Sequence, residues 1–140
     1  MKSQFVHIVL TAGLTVLGSL ALSAQNQYET ATIPFTFQVN HKSFAAGDYT
    51  LARINSSGVF QVMSKESGRS AFVSAPPSLS GKEHEEGRLT FTCYGGDCVL
   101  SQIWLDGSSI GYARSQSSID KDLPRTLGVA SLISVPLKAR

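Results

Sequence analysis

Apolar and polar residues alternate with a period of two along most of this chain. Ile33, Phe35, Phe37 and Val39 alternate with Pro34, Thr36, Gln38 and Asn40, which predicts a half-buried strand over 33–39. Pro34 cannot donate to a ladder, so that strand is expected at an edge or with one free side. Residues 25–30 read as a polar lead-in. The turn Ala46-Gly47-Asp48 precedes a second strand over 49–54, and Asn55-Ser56-Ser57-Gly58 joins it to a third over 59–64 in a hairpin. Lys65-Glu66-Ser67-Gly68 leads to a fourth strand over 69–75, which Pro76-Pro77 stops. After a polar loop over 78–87 come strands over 89–93, 99–105 and 109–113. One short helical turn is expected within 117–127, capped by Ser117 or Ser118 and broken near Pro124. A last, partly alternating strand is expected over 129–137.

Seven or eight short strands, frequent turns and no long helix predict an all-β fold, a small antiparallel β-sandwich or barrel. Pattern alone does not separate the two. No repeat, heptad or low-complexity tract interrupts this picture.

The first 24 residues follow a different rule. A short start carrying Lys2 is followed by an uncharged apolar stretch over 5–22 and by the small residues Ala21-Leu22-Ser23-Ala24. This is the three-part pattern of a signal peptide, with cleavage expected after Ala24 or Ser23. It predicts a secreted or periplasmic protein and places His7 in the leader. The stretch is near the lower length limit of a membrane helix, but Thr11, Gly13, Thr15, Gly18 and Ser19 dilute it. Of the 140 residues, 116 then form the mature chain, a single β-domain over 25–140. Losing Lys2 lowers the net charge from +2 to +1. A chain of this size buries roughly 65% of its unfolded surface, enough for one core. No second long apolar segment follows, so no membrane span is expected in the mature protein. The near-neutral charge offers no electrostatic footprint for nucleic acid.

Two cysteines are too few for a disulfide scaffold or a four-thiolate zinc site. Their placement is informative. In Cys93-Tyr94-Gly95-Gly96-Asp97-Cys98 the Gly-Gly pair suits a two-residue type I′ turn, which needs positive φ twice. Tyr94 then faces Asp97, and Cys93 faces Cys98 as a non-hydrogen-bonded pair about 4.5 Å apart at Cα. That is within disulfide reach, and export to an oxidising compartment predicts the bond. Redox-active pairs use a two-residue spacer at a helix start, unlike this one. Strict alternation from the turn places Leu89, Phe91, Leu100 and Trp104 on one face. It places Thr90, Thr92, Val99, Ser101 and Ile103 on the other. Tyr94 is the best candidate for an exposed aromatic.

Catalytic signals are sparse. His84 lies among Glu83, Glu85 and Glu86, a run that reads as a solvated charged loop rather than a metal site. His41 lies in an expected turn and reads as a surface residue. There is no Gly-x-Ser-x-Gly elbow, phosphate loop or dinucleotide fingerprint. Asn55-Ser56-Ser57 matches a glycosylation acceptor but reads as a turn. No catalytic, cofactor-binding or metal residue is therefore assigned.

The series Ile33-Pro34-Phe35-x-Phe37-x-Val39, Ala46-Gly47-Asp48-Tyr49-Thr50-Leu51, Leu89-x-Phe91, Tyr94-Gly95 and Leu100-Ser101-Gln102-Ile103-Trp104 resembles a group of small secreted bacterial β-domain proteins. The likeness spans nearly all of 30–115. That group has no assigned activity, so the resemblance implies an all-β exported domain and supplies no site. Its members generally lack the cysteine pair.

The functional expectation is a non-catalytic binding or interaction module of the bacterial envelope, taking a protein or apolar ligand on a sheet face, barrel mouth or loop end. The alternative is a structural accessory subunit that adds to a partner through an edge strand, with the Pro34 strand and the C-terminal strand as candidate edges. An uncharacterised enzyme is the third reading. It would need His41 or His84 to meet a carboxylate in a polar pocket.

Overall fold

The computed structural model describes residues 28–82, 86–123 and 128–139. The expected signal peptide over 1–24, His84 with its neighbours Glu83 and Glu85, and the expected helix break near Pro124 lie outside the described residues. Eleven strands and one helix make up the rest, against the seven or eight strands expected. They are β1 (Tyr28–Ile33), β2 (Phe37–Val39), β3 (Lys42–Phe44), β4 (Gly47–Arg53), β5 (Val59–Ser64), β6 (Ser70–Ser74), β7 (Pro77–Ser80), β8 (Gly87–Tyr94), β9 (Asp97–Trp104), β10 (Ile110–Ala113), α1 (Gln116–Asp122) and β11 (Ser131–Ala139).

The sheet runs β3-β2-β9-β8-β11-β1-β4-β5-β6, with β10 bridging β9 and β7. It curls until β6 approaches β2, where Asn40 donates from Nδ2 to the Phe72 carbonyl at 2.7 Å. The result is a nearly closed barrel. Every pairing is antiparallel except β2 with β9.

The expected strand over 33–39 is two strands, because Pro34-Phe35-Thr36 leaves the sheet. Pro34 has no N–H to offer a ladder. Phe35 turns edge-on to Phe91, with ring centroids 5.0 Å apart. This crossover carries the chain from β1 to the far side of β9. Phe37 follows and packs on Phe44, Tyr49 and Phe91. Phe60, Leu89, Ile103 and Leu137 fill more of the interior. Each fully buried side chain of this size contributes about 1.5–3 kcal/mol. The barrel is therefore packed with side chains rather than shaped as a container.

The polar lead-in is also corrected, since Tyr28 to Thr30 already belong to β1. Glu29, Ala31 and Ile33 all point inward and are buried. A carboxylate at the first inward position hides that alternation from sequence reading.

In the β8–β9 hairpin, Cys93 pairs with Cys98 and Tyr94 with Asp97, the predicted register. Gly95 and Gly96 take φ of 56° and 92°, open to glycine because it lacks a Cβ. The Cys93–Cys98 disulfide is formed, with Cα atoms 4.1 Å apart.

Farther from the turn the predicted faces fail. Phe91 pairs with Leu100 but Thr90 with Gln102, so Ser101 is an extra residue, a β-bulge. Its hydroxyl donates to the Thr90 carbonyl at 3.0 Å, and its own carbonyl accepts from the Arg114 N–H. One added residue exchanges the two faces beyond it. Ile103, not Trp104, joins Leu89 in the main core. Trp104 lies outside the barrel wall, over Gly111, with the Arg88 guanidinium 5.2 Å from its ring.

Candidate functional site

The barrel wall has a half-open seam between β1 and β11. Among the described residues they pair only through Glu29 with Ala139 and Thr30 with Lys138. On its other side, β11 pairs with β8 continuously from Ser131 to Leu137. Among the described residues, 131–137 therefore have a sheet neighbour on one side only. The cause is local: in that register Thr32 would face Pro136, which has no N–H to give β1, and β1 ends at Ile33, where Pro34 turns the chain away. A groove of about 360 Å³ marks the parting, lined by Thr30, Thr32, Asp48, Lys65, Pro136 and Lys138. Thr32 donates its hydroxyl to Asp48 there at 2.6 Å.

Pro136 gives the direction of the free backbone. It sits within an unbroken β8 ladder, flanked by Val135 opposite Leu89 and Leu137 opposite Gly87. A residue without N–H fits there only with its nitrogen turned to the seam. Strand alternation then turns the N–H and C=O of Leu132 and Ser134 to the seam as well.

Exposure follows the same boundary. Ile133 shares the inward face with Val135 and Leu137, which are buried, yet it is 39% exposed. Leu132 is 67% exposed and Val129 is 93% exposed. Residues 128–137 carry no charge.

Leu132 also borders a second cleft, of about 450 Å³, between α1 and the outer sheet. Tyr94, Arg114, Ile119 and Ala130 line it too. Tyr94, expected to be exposed, is buried against Val99, Ile119 and Leu123, because α1 covers that face. The helix begins at Gln116 under a Ser115 cap, whose side chain accepts from the Ser118 N–H, rather than under Ser117 or Ser118. Its end is pinned by a buried ion pair. Arg114 donates to Asp122 Oδ2 at 2.9 Å and to the Leu100 carbonyl at 3.1 Å. Asp122 Oδ1 accepts from the His41 backbone N–H at 3.0 Å and lies 3.1 Å from His41 Nδ1. Asn40 and His41 take φ of 50° and 64°, which aims the turn at Asp122. His41 is thus in a turn with its side chain 67% exposed, as sequence reading expected, but it meets a carboxylate that spacing gave no sign of. The cluster ties β2–β3, β9, β10 and α1 together, which is a clamp. Among the described residues no three His, Cys, Asp or Glu side chains are grouped to hold a metal ion.

Glu29 is the other buried charge. Its Oε1 accepts from the Asp106 N–H at 3.2 Å, while Oε2 is buried without a hydrogen-bond partner. Burial, and to a lesser degree the Asp106 carboxylate, push its pKa above the ordinary 4.5, while the bond from the Asp106 N–H works the other way.

Of the two candidate edges, the Pro34 strand divides: among the described residues Ala31–Ile33 pair with β4 alone, the free side expected beside Pro34, whereas β2 lies between β3 and β9. The C-terminal strand does present an open edge, along its first half. Asn55 serves its turn, accepting from the Val59 N–H at 3.1 Å. Leu132 and Ile133 had escaped sequence reading as site residues. The uncharged run 128–137, interrupted only by Pro136, is the signal that could have found them. Among the described residues no helix is long and apolar enough to cross a membrane.

Fold and edge together define a small, nearly closed β-barrel with a half-open seam between β1 and β11. No family model, no curated protein and no solved structure matches this chain.

Proposed function

We propose that this protein is an exported, non-catalytic interaction module that takes an extended segment of a partner along the open edge of β11. The carrying observation is the run 131–137, which among the described residues has a sheet neighbour on one side only and carries the exposed apolar side chains of Leu132 and Ile133. A row of free N–H and C=O groups is completed by another strand, and adjacent side chains supply selectivity. Edges without charge or a covering element are uncommon in proteins that work alone. An apolar ligand inside the barrel is the weaker reading, since side chains fill the interior. Export rests on the leader-like pattern of residues 1–24.

The test is site-specific photocrosslinking in the producing cell. A photoreactive residue replaces Leu132 in one strain and Phe72, 54% exposed on β6, in another. Adducts are expected at Leu132 and not at Phe72. Equal yields at both positions, or none at Leu132, would refute the edge as the working surface.

A further inference from the structure

The open edge has a register in which it completes itself. An antiparallel partner whose two-fold axis passes through Leu132 places Leu132 opposite its copy, with residues 130 and 134 opposite each other. Leu132 and Ser134 are the β11 positions whose backbone faces the seam with Pro136, and the pairing carries that alternation to Ala130, which precedes the strand. All three cross-pairs are then hydrogen-bonded pairs, giving about six N–H···O=C bonds and leaving no free group over 130–134. The same register sets Ile133 beside Ser131 of the copy and Val129 beside Val135, so exposed apolar side chains gain neighbours. No like charges meet, because 128–137 are uncharged. Pro136 ends the pairing, since it has no N–H to give. A two-fold contact of this kind is closed and consumes both edges, so it does not propagate into fibres.

We infer that the occupant of the β11 edge is a second copy of this chain, paired antiparallel about Leu132. This rests on the open-edge reading above and names its partner. The edges meet through backbone hydrogen bonds, with Leu132 packing on its counterpart at the outer face.

The register is tested by a single introduced cysteine. Both native cysteines are in the Cys93–Cys98 bond, so Leu132→Cys supplies the one free thiol. Hydrogen-bonded cross-strand partners have Cα atoms about 5.5 Å apart, within disulfide range. Mild oxidation of the purified protein, in the form the cell accumulates, is expected to give a covalent dimer with Leu132→Cys. Ile133→Cys, whose counterpart is displaced along the strand, is expected to stay single. Wild type is expected to sediment at twice the mass of one chain. Leu132→Pro, which removes a seam-facing N–H while sparing the β8 ladder, is expected to sediment as one folded chain whose melting temperature no longer rises with protein concentration as the wild type's does; Leu132→Lys, a second edge-blocking variant, is expected to do the same. Equal trapping of both cysteines would overturn the register, and a wild type sedimenting as one chain would overturn the self-pairing. In that second case amide exchange at Leu132 and Ser134 separates the two readings. Fast exchange leaves the edge open to a different protein's strand, and slow exchange removes the open edge as well.

Discussion

Replacing Asp122 by Asn tests the clamp that holds α1 and the β2–β3 turn on the barrel. The Asp122 side chain is 1% exposed and that of Arg114 is 3% exposed. Asn keeps the shape and one acceptor, but leaves the guanidinium in the wall with only the Leu100 carbonyl as a strong partner. Removing one member of a buried ion pair typically costs about 3–5 kcal/mol, because the remaining charge is desolvated without compensation. Total stability for such a domain is about 5–15 kcal/mol, so the loss is a large share. With a urea slope of about 1.5 kcal/mol/M, the unfolding midpoint should fall by about 2–3 M. His41→Ala should cost about 1 kcal/mol or less, since its ring is mostly in water and its backbone N–H still reaches Asp122. The pair Arg114→Met with Asp122→Leu should recover most of the loss, because well-packed apolar groups can replace a buried ion pair at little cost. Urea unfolding of the wild type, Arg114→Met, Asp122→Leu and the double closes the cycle. An Asp122→Asn cost below about 1 kcal/mol, or a double variant as weak as the single, would refute the clamp.

Three further outcomes follow from the same structure. Glu29 has a raised pKa when folded, so the folded state holds its proton more tightly than the unfolded chain does. Below the ordinary 4.5 both states are protonated and no difference arises; as pH rises from there through the raised value, stability is lost. Glu29→Gln should therefore gain on wild type as pH rises from 4 to 8 in urea titrations, and a gap independent of pH would contradict this. Opening the Cys93–Cys98 bond by replacing both with Ser should cost about 2 kcal/mol or less, since the closed loop is short; thiol titration of the native protein should find no free thiol before reduction. Gly111→Ala would place a Cβ 2.6 Å from the Trp104 ring. Overpacking of that kind costs about 1–3 kcal/mol, and displacement of the indole should shift its fluorescence; an unchanged spectrum and midpoint would show that the ring gives way freely.

The sequence by itself determined the features that depend on neighbours in the chain. Period-two alternation implied an all-β chain, and Gly95-Gly96 implied the turn that brings Cys93 to Cys98, because φ and side-chain face are local properties. The turn at Asn55 and the third strand over 59–64 were legible for the same reason. It also marked the C-terminal strand as a candidate edge, although not which half stays open. Tertiary structure alone decided where pairing slips or stops. The bulge at Ser101 depends on what β8 offers opposite β9, and one extra residue moved Ile103 inward and Trp104 outward. The inward carboxylate of Glu29 made β1 look polar. Asp122 met Arg114 and His41 only after α1 had docked, since no sequence spacing records contacts made by folding. The half-open seam exists because Pro136 has no N–H to give β1 and the Pro34 crossover turns β1 away, and a missing neighbour is a property of the assembled sheet.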